Sequence, residues 1–243
     1  MKCMNTAAGG AFQPTLWSVV LRAKDPADPH RRTALNRLLD FYWAPVYVYL
    51  RHKGRSVEDA QDETQGFFAH FLELEALAQV DRSRGRFRNY LLALLEHFLA
   101  NERRKAMAEK RGGGRIPKSL DFARAETEVR IEPADPRKPE DAFRKSWAMS
   151  VLEGSFERLR REFDEKGRLP EFEAVRSHLL AGESRPTHQA IADKLSVPLT
   201  DVANLLHRTR KRLREIIRSI LRDAVDSDAE LEDEVKEFFA SFE

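Results

Sequence analysis

Arg82, Arg84, Arg86 and Arg88 alternate through the segment QVDRSRGRFRN at 79–89, with Phe87 and Tyr90 set beside them. Guanidinium groups neutralise phosphates and aromatic rings stack on bases, so this mixture suits the capture of a separated nucleic-acid strand. Gly85 permits a tight path. A base drawn out of its stack needs a pocket with polar edge contacts, which a short loop on a helical platform can supply. Phe87 also reads as a core residue. A second basic set lies further along, where Arg208, Arg210, Lys211, Arg212 and Arg214 can neutralise phosphates and Asn204 and His207 can meet base edges. A third set, Asp59, Asp62 and Gln65, can face a protein partner or simply solvate a helix. The scattered carboxylates and histidines form no nucleophile–base–orienter or metal-ligand pattern, and His97 reads as a packed or DNA-facing side chain. The expectation is a protein that is not an enzyme and carries no cofactor or metal.

These side chains need helices to position them. In THQAIADKL, Thr187 can cap a helix whose short apolar face is Ala190, Ile191 and Leu195. The following SVPLT reads as a turn, with Pro198 and Thr200 as turn residue and second N-cap. Val202, Leu205, Leu206, Leu213, Ile216, Ile217 and Ile220 then recur at helical spacing, leaving Asn204, His207, Arg208, Lys211 and Arg214 on other faces. The pattern is that of a helix-turn-helix, whose second helix can enter a major groove while the first braces on the backbone. The competing reading is a helical hairpin with solvated charges.

Towards the N-terminus, Leu35, Leu38, Leu39, Tyr42, Trp43, Val46, Tyr47 and Leu50 form a helical seam that passes Pro45. Ser56 caps the next helix, packed through Ala60, Thr64, Phe67, Phe68, Phe71 and Leu72. Arg103, Arg104, Lys105, Lys110 and Arg111 extend the positive strip beyond LLALLEHFLAN. Gly112, Gly113 and Gly114, with Pro117, Pro133, Pro136 and Pro139, make 112–140 the linker. Trp147, Val151, Leu152, Phe156, Leu159 and Phe163, then Phe172, Val175, Leu179 and Leu180, read as helices supporting the terminal pair, separated by Gly167 and Pro170. The expected fold is all-α: two helical domains at 12–111 and 141–222, a Gly/Pro-rich linker at 112–140, and an acidic tail at 223–243.

With 243 residues and 42% hydrophobic content, two modest cores fit better than one. The formal charge of +2 hides an asymmetry, since 186–222 holds eight Lys/Arg against three Asp/Glu while 223–243 holds one Lys against nine Asp/Glu. Cys3 is the one cysteine, which excludes an internal disulfide framework and makes a reducing cytoplasm the natural setting. No long apolar span or convincing signal peptide is present, so membrane insertion is not expected. The tail can form a short helix on Leu231, Val235, Phe238, Phe239 and Phe242 with its acids on the other face. It can act as an electrostatic latch over the terminal DNA-binding domain, dock on another protein, complete a local core, or remain a disordered solubilising tail.

Taken together, DAQDETQGFF, DRSRGRFRNYLLALLEHFLANERR and HQAIADKLSVPLTDVANLLHRTRKRLR resemble a bacterial extracytoplasmic-function sigma factor of the sigma-70 family, over nearly the whole chain. YWAPVY, GRFR, KRGGG and the insertion at 153–186 resemble one branch of it. The resemblance implies a dissociable, non-catalytic subunit of core RNA polymerase. Asp59, Ala60, Asp62, Gln65 and Phe68 would lie on the helix that docks on the polymerase clamp. Asp81, Arg82, Arg84, Arg86 and Phe87 would belong to the loop reading an extruded base of the −10 element, continued by Arg88, Tyr90, His97, Asn101, Arg103 and Arg104. Residues 112–140 would pass through polymerase toward the RNA exit, and the terminal helix pair would engage the flap and the −35 element through Thr200, Asn204, His207, Arg208, Lys211 and Arg212. An anti-sigma or other regulatory protein is a further partner of this class. The chain departs from the pattern at Ala93 and Glu96, where Arg is common, at His97 for Asn, at Ser196 for the turn Gly, and at Asp201, Ala203 and Leu205. Those departures leave the promoter sequence open. Two other functions compete: a stand-alone helix-turn-helix regulator, and a helical adaptor that does not bind DNA.

Overall fold

A computed structural model describes residues 16–73, 77, 86–108, 122, 138–180, 185–222, 225 and 227–242, and among them the regular structure is entirely helical. The helices are α1 Leu16–Lys24, α2 Arg31–His52, α3 Val57–Glu73, α4 Phe87–Ala108, α5 Pro139–Asp164, α6 Leu169–Leu179, α7 His188–Leu195, α8 Leu199–Arg222 and α9 Asp228–Ala240. Among the described residues, no helix is long and apolar enough to cross a membrane. The chain divides into two compact units, one containing 15–154 with 217–243 and the other 155–216.

In the first unit α2 is the central helix. From Phe41 to Leu50 every residue but Ala44 is buried, the all-round burial expected of a helix enclosed by neighbours. The helix continues through Pro45, which is itself buried. Its aromatic side chains meet several segments: Tyr42 meets Phe87 of α4 edge-on at 5.3 Å, Tyr49 meets Phe143 of α5 at 6.4 Å, and Trp43 and Tyr47 meet Phe122 at 5.6 and 5.2 Å. Such pairs favour tilted and edge-on geometry because the ring face is negative and its edge positive. Phe67, Phe68 and Phe71 of α3 form a second aromatic group, and Phe67 reaches Phe98 of α4 at 5.8 Å. Ser56 caps α3 as its sequence implies, its Oγ accepting the Asp59 amide at 3.0 Å.

The division between the units falls inside α5 and inside α8, away from the sequence boundary at 141. Phe143 and Trp147 explain the difference for α5, because the first packs on Tyr49 and the second lies beneath Arg88, both in the first unit. Most of the expected linker lies outside the described residues, but Phe122 within it is docked on α2.

The second unit is built on Ala174, Val175, Ile191, Ala192, Val202, Leu205 and Leu206, with Phe163, Leu179 and Leu195 packed against them. Gly167, at φ +65°, makes the turn after α5, where its amide and that of Arg168 reach back to the Asp164 and Phe163 carbonyls at 2.9 and 2.8 Å. Pro170 lies in the first turn of α6, where its missing N–H costs nothing. Thr187 caps α7 by accepting the Ala190 amide at 3.2 Å.

Candidate functional site

The turn between α7 and α8 fixes what α8 presents. Ser196 ends α7 in the left-handed conformation, φ 54° and ψ 45°, and the Ser196 and Val197 amides donate to the Asp193 and Ala192 carbonyls at 3.3 and 3.1 Å. A non-glycine residue therefore takes the role that glycine usually fills at such a cap. Helix α8 begins at Leu199, and the Pro198 carbonyl accepts the Asp201 and Val202 amides at 3.0 and 3.3 Å. Thr200 thus lies in the first turn and is not the N-cap that the sequence suggested, because the helix starts two residues earlier than such a cap requires.

On α8, Val202, Leu205, Leu206 and Thr209 are buried, and the Thr209 hydroxyl is satisfied by the Leu205 carbonyl at 2.7 Å. The stripe Thr200, Asn204, His207, Arg208 and Lys211 is exposed, with a spacing of three and four residues that aligns it along one helix face. Arg212 is different. Its Nε and Nη2 donate to the two Glu162 carboxylate oxygens at 2.7 and 2.8 Å, and its Nη1 donates to Glu215 Oε2 at 2.9 Å. The hydrogen bonds from Arg212 outweigh partial burial and hold the Glu162 carboxyl below its ordinary range. Arg212 is thereby a brace from α8 to α5 within this unit.

In the first unit, Asp59 and Asp62 of α3 are exposed and Gln65 is partly so. Phe68 is enclosed in the aromatic group, so its contribution is to seat α3, not to touch a partner directly. On α4, Tyr90, His97, Asn101 and Arg104 follow one helix face, with Tyr90 partly buried and the other three exposed, and Arg103 is also exposed. Arg104 Nη2 donates to Asn101 Oδ1 at 2.7 Å. These two residues join His70, Phe98 and Glu102 around an open hollow of about 330 Å³. Glu96, which stands where the resemblance favours Arg, accepts from Lys53 Nζ at 2.6 Å and from the Tyr49 hydroxyl. Burial pushes its carboxyl up, but those hydrogen bonds and the Lys53 charge prevail and leave it below its ordinary value.

The arginines at the start of α4 make the densest charged cluster described. Asp81, Arg82 and Arg84 lie outside the described residues. Phe87 is buried between Tyr42 and Tyr90, which assigns it to the core. Arg88 is only 3% exposed, with its guanidinium over the Trp147 ring at 4.3 Å. Its Nη2 donates to Glu234 Oε2 and lies 3.0 Å from Glu237 Oε1, while its Nη1 also meets Glu234. Arg86 Nε lies 2.8 Å from Glu234 Oε2, and its Nη1 pairs with Glu237. Burial works against the charge on Arg88, but the hydrogen bonds and charge of Glu234, then Glu237, outweigh it and raise its pKa. Burial likewise pushes the Glu237 carboxyl up, and the two arginines reverse the direction. The phenol of Tyr42 is driven well upward, first by burial, with Arg88 opposing and Glu234 reinforcing.

Compared with protein-family models, curated proteins and solved structures, the chain matches none.

Three residues important to these clusters were not singled out from sequence: Glu162, Glu234 and Glu237. The acidic tail was visible, but its orientation was not. Phe239, expected on the apolar face, is 50% exposed, whereas Glu234 is fully buried between Leu231 and Phe238. The helix is turned so that a carboxylate faces inward, because Arg88 beneath it needs a counter-charge. A glutamate three residues after Leu231 and four before Phe238 was the available signal. Of the alternatives the sequence left for the tail, α9 packs through Leu231, Glu234 and Phe238, meeting Arg86 and Arg88 through its inner carboxylates and Arg218 and Arg222 of α8 through Glu232 and Asp228.

Proposed function

We propose that this chain is a dissociable initiation subunit of a bacterial RNA polymerase, of the sigma-70 type, that directs core polymerase to promoters in the cytoplasm. The observation that carries this reading is the exposed stripe Thr200, Asn204, His207, Arg208 and Lys211 on a helix set by the Ser196 turn, with its opposite face buried. A helix so displayed fits a major groove about 12 Å wide, with Asn204 and His207 toward base edges and Arg208 and Lys211 toward phosphates. On this reading the terminal helix pair is a helix-turn-helix that selects the −35 duplex. The α4 face of Tyr90, His97, Asn101 and Arg104 follows the opened −10 strand, and the exposed acids Asp59 and Asp62 on α3 meet the polymerase clamp. The chain contributes strand capture and positioning, and the nucleotidyl chemistry belongs to polymerase.

Reconstitution with core polymerase and a promoter library tests the proposal through complex formation and run-off transcripts. Core binding with promoter-specific initiation is the expected result. Duplex binding without polymerase association would identify a stand-alone regulator, and stable protein association without DNA activity would identify an adaptor.

A further inference from the structure

Helix α9 carries Asp228, Glu230, Glu232, Asp233, Glu234 and Glu237 against the single base Lys236. Its two inner carboxylates occupy the guanidinium donors of Arg86 and Arg88, the described arginines of the GRFR element. A carboxylate and a phosphate offer the same paired oxygens to an arginine fork, so the two ligands compete for one set of donors. The contact is graded: Arg88 and Glu234 are enclosed, whereas Arg86 and Glu237 keep 28% and 31% of their side-chain surface exposed at the rim. Leu231 and Phe238 anchor the helix by burial. Arg218 holds Glu232 at 2.6 Å, and Arg222 holds Asp228, tying α9 also to the last turns of α8.

We propose that α9 is an autoinhibitory helix, a built-in competitor for the DNA backbone that must leave Arg86 and Arg88 before the start of α4 can hold a promoter strand. This rests on the initiation reading and adds a closed state to it. In the closed state Arg86 and Arg88 contribute nothing to DNA affinity. Displacement releases two cations together, because both carboxylates bridge both arginines.

Full-length chains provide the test. A fluorescein-labelled single-stranded DNA 20-mer of mixed sequence is titrated by anisotropy across a salt series with the native chain, Glu237→Gln, Glu234→Gln/Glu237→Gln, and the control Asp233→Asn. Asp233 lies on the same helix, where its ion partner is Lys236, so the control changes the same charge without touching the arginines. Neutralising one or both competing carboxylates leaves one or two net positive charges on the arginine pair, which steepens the dependence of log K on log salt by about 0.7 or 1.4 for a single strand and tightens binding up to about tenfold. Glu237→Gln should show the first of these shifts even where the double variant folds poorly, and Asp233→Asn should keep the native slope. Equal slopes for Glu237→Gln and Asp233→Asn overturn the autoinhibitory contact. The same chains are assayed for run-off initiation with core polymerase. Initiation with equal slopes removes the closed state alone, whereas failure of every chain to bind either polymerase or DNA removes the initiation reading with it.

Discussion

Replacing Glu234 should destabilise the first unit by more than an ordinary surface substitution. Its carboxylate is fully buried and accepts from both Nη atoms of Arg88, which is itself 3% exposed. Removing one partner of such a pair leaves an uncompensated charge, at a typical cost of about 3–5 kcal/mol. Here Glu237 Oε1 remains 3.0 Å from Arg88 Nη2, which places Glu234→Leu near the lower end, about 3 kcal/mol. Arg88→Met is milder, because Arg86 still compensates Glu234 at 2.8 Å. The double variant Arg88→Met/Glu234→Leu removes both charges and should recover most of the loss, giving a coupling of about 2–3 kcal/mol. Tryptophan fluorescence is the natural probe, since Trp17, Trp43 and Trp147 all belong to the first unit. For a chain of this size the single Glu234→Leu variant should lower Tm by about 6–12 °C. A loss below about 1 kcal/mol, or a double variant as unstable as the two singles combined, would refute the buried pair as the anchor of α9.

Acidification should act on the same region. Glu96 and Glu237 have folded pKa values below the ordinary range, so their stabilisation is complete above the unfolded value of about 4.3 and is lost as pH falls through the folded values. The fluorescence Tm should therefore fall from about pH 5 downward, and Glu96→Gln/Glu237→Gln should flatten that fall; an unchanged slope would count against these two groups. Ser196→Gly should stabilise the second unit by about 0.5–1 kcal/mol, read from thermal unfolding by circular dichroism, because the left-handed backbone strains a Cβ-bearing residue and suits glycine. Destabilisation would show that another contact holds Ser196. In duplex titrations, Arg208→Ala/Lys211→Ala should reduce the salt slope by about 1.8, whereas Arg212→Ala should change it little, since Glu162 and Glu215 already neutralise its guanidinium. Equal effects at all three positions would exclude that distinction.

Much of the helical framework was legible because its signals are local. Ser56 and Thr187 cap the helices they precede, and Val202, Leu205 and Leu206 turn inward at the spacing that a 3.6-residue period requires. Phe122 and Trp147 were less legible. One lies in a stretch whose composition reads as a linker and the other in a helix that the sequence grouped with the C-terminal half, yet both pack in the first unit. Apolar periodicity identifies a face without naming its partner.

The charged residues show the same limit most clearly. The sequence by itself determined an all-α chain, the helix pair with its basic stripe, the arginines around GRFR and an acidic terminal segment, because helix period, capping and charge are properties of neighbouring residues. Only the tertiary structure decided which cations remain available. It leaves Arg208 and Lys211 exposed, braces Arg212 on Glu162, and encloses Arg88 between Trp147 and Glu234. Arg88 and Glu234 are 146 positions apart. No local pattern pairs them; packing places them together, and the cost of burying either charge without the other makes their pairing necessary.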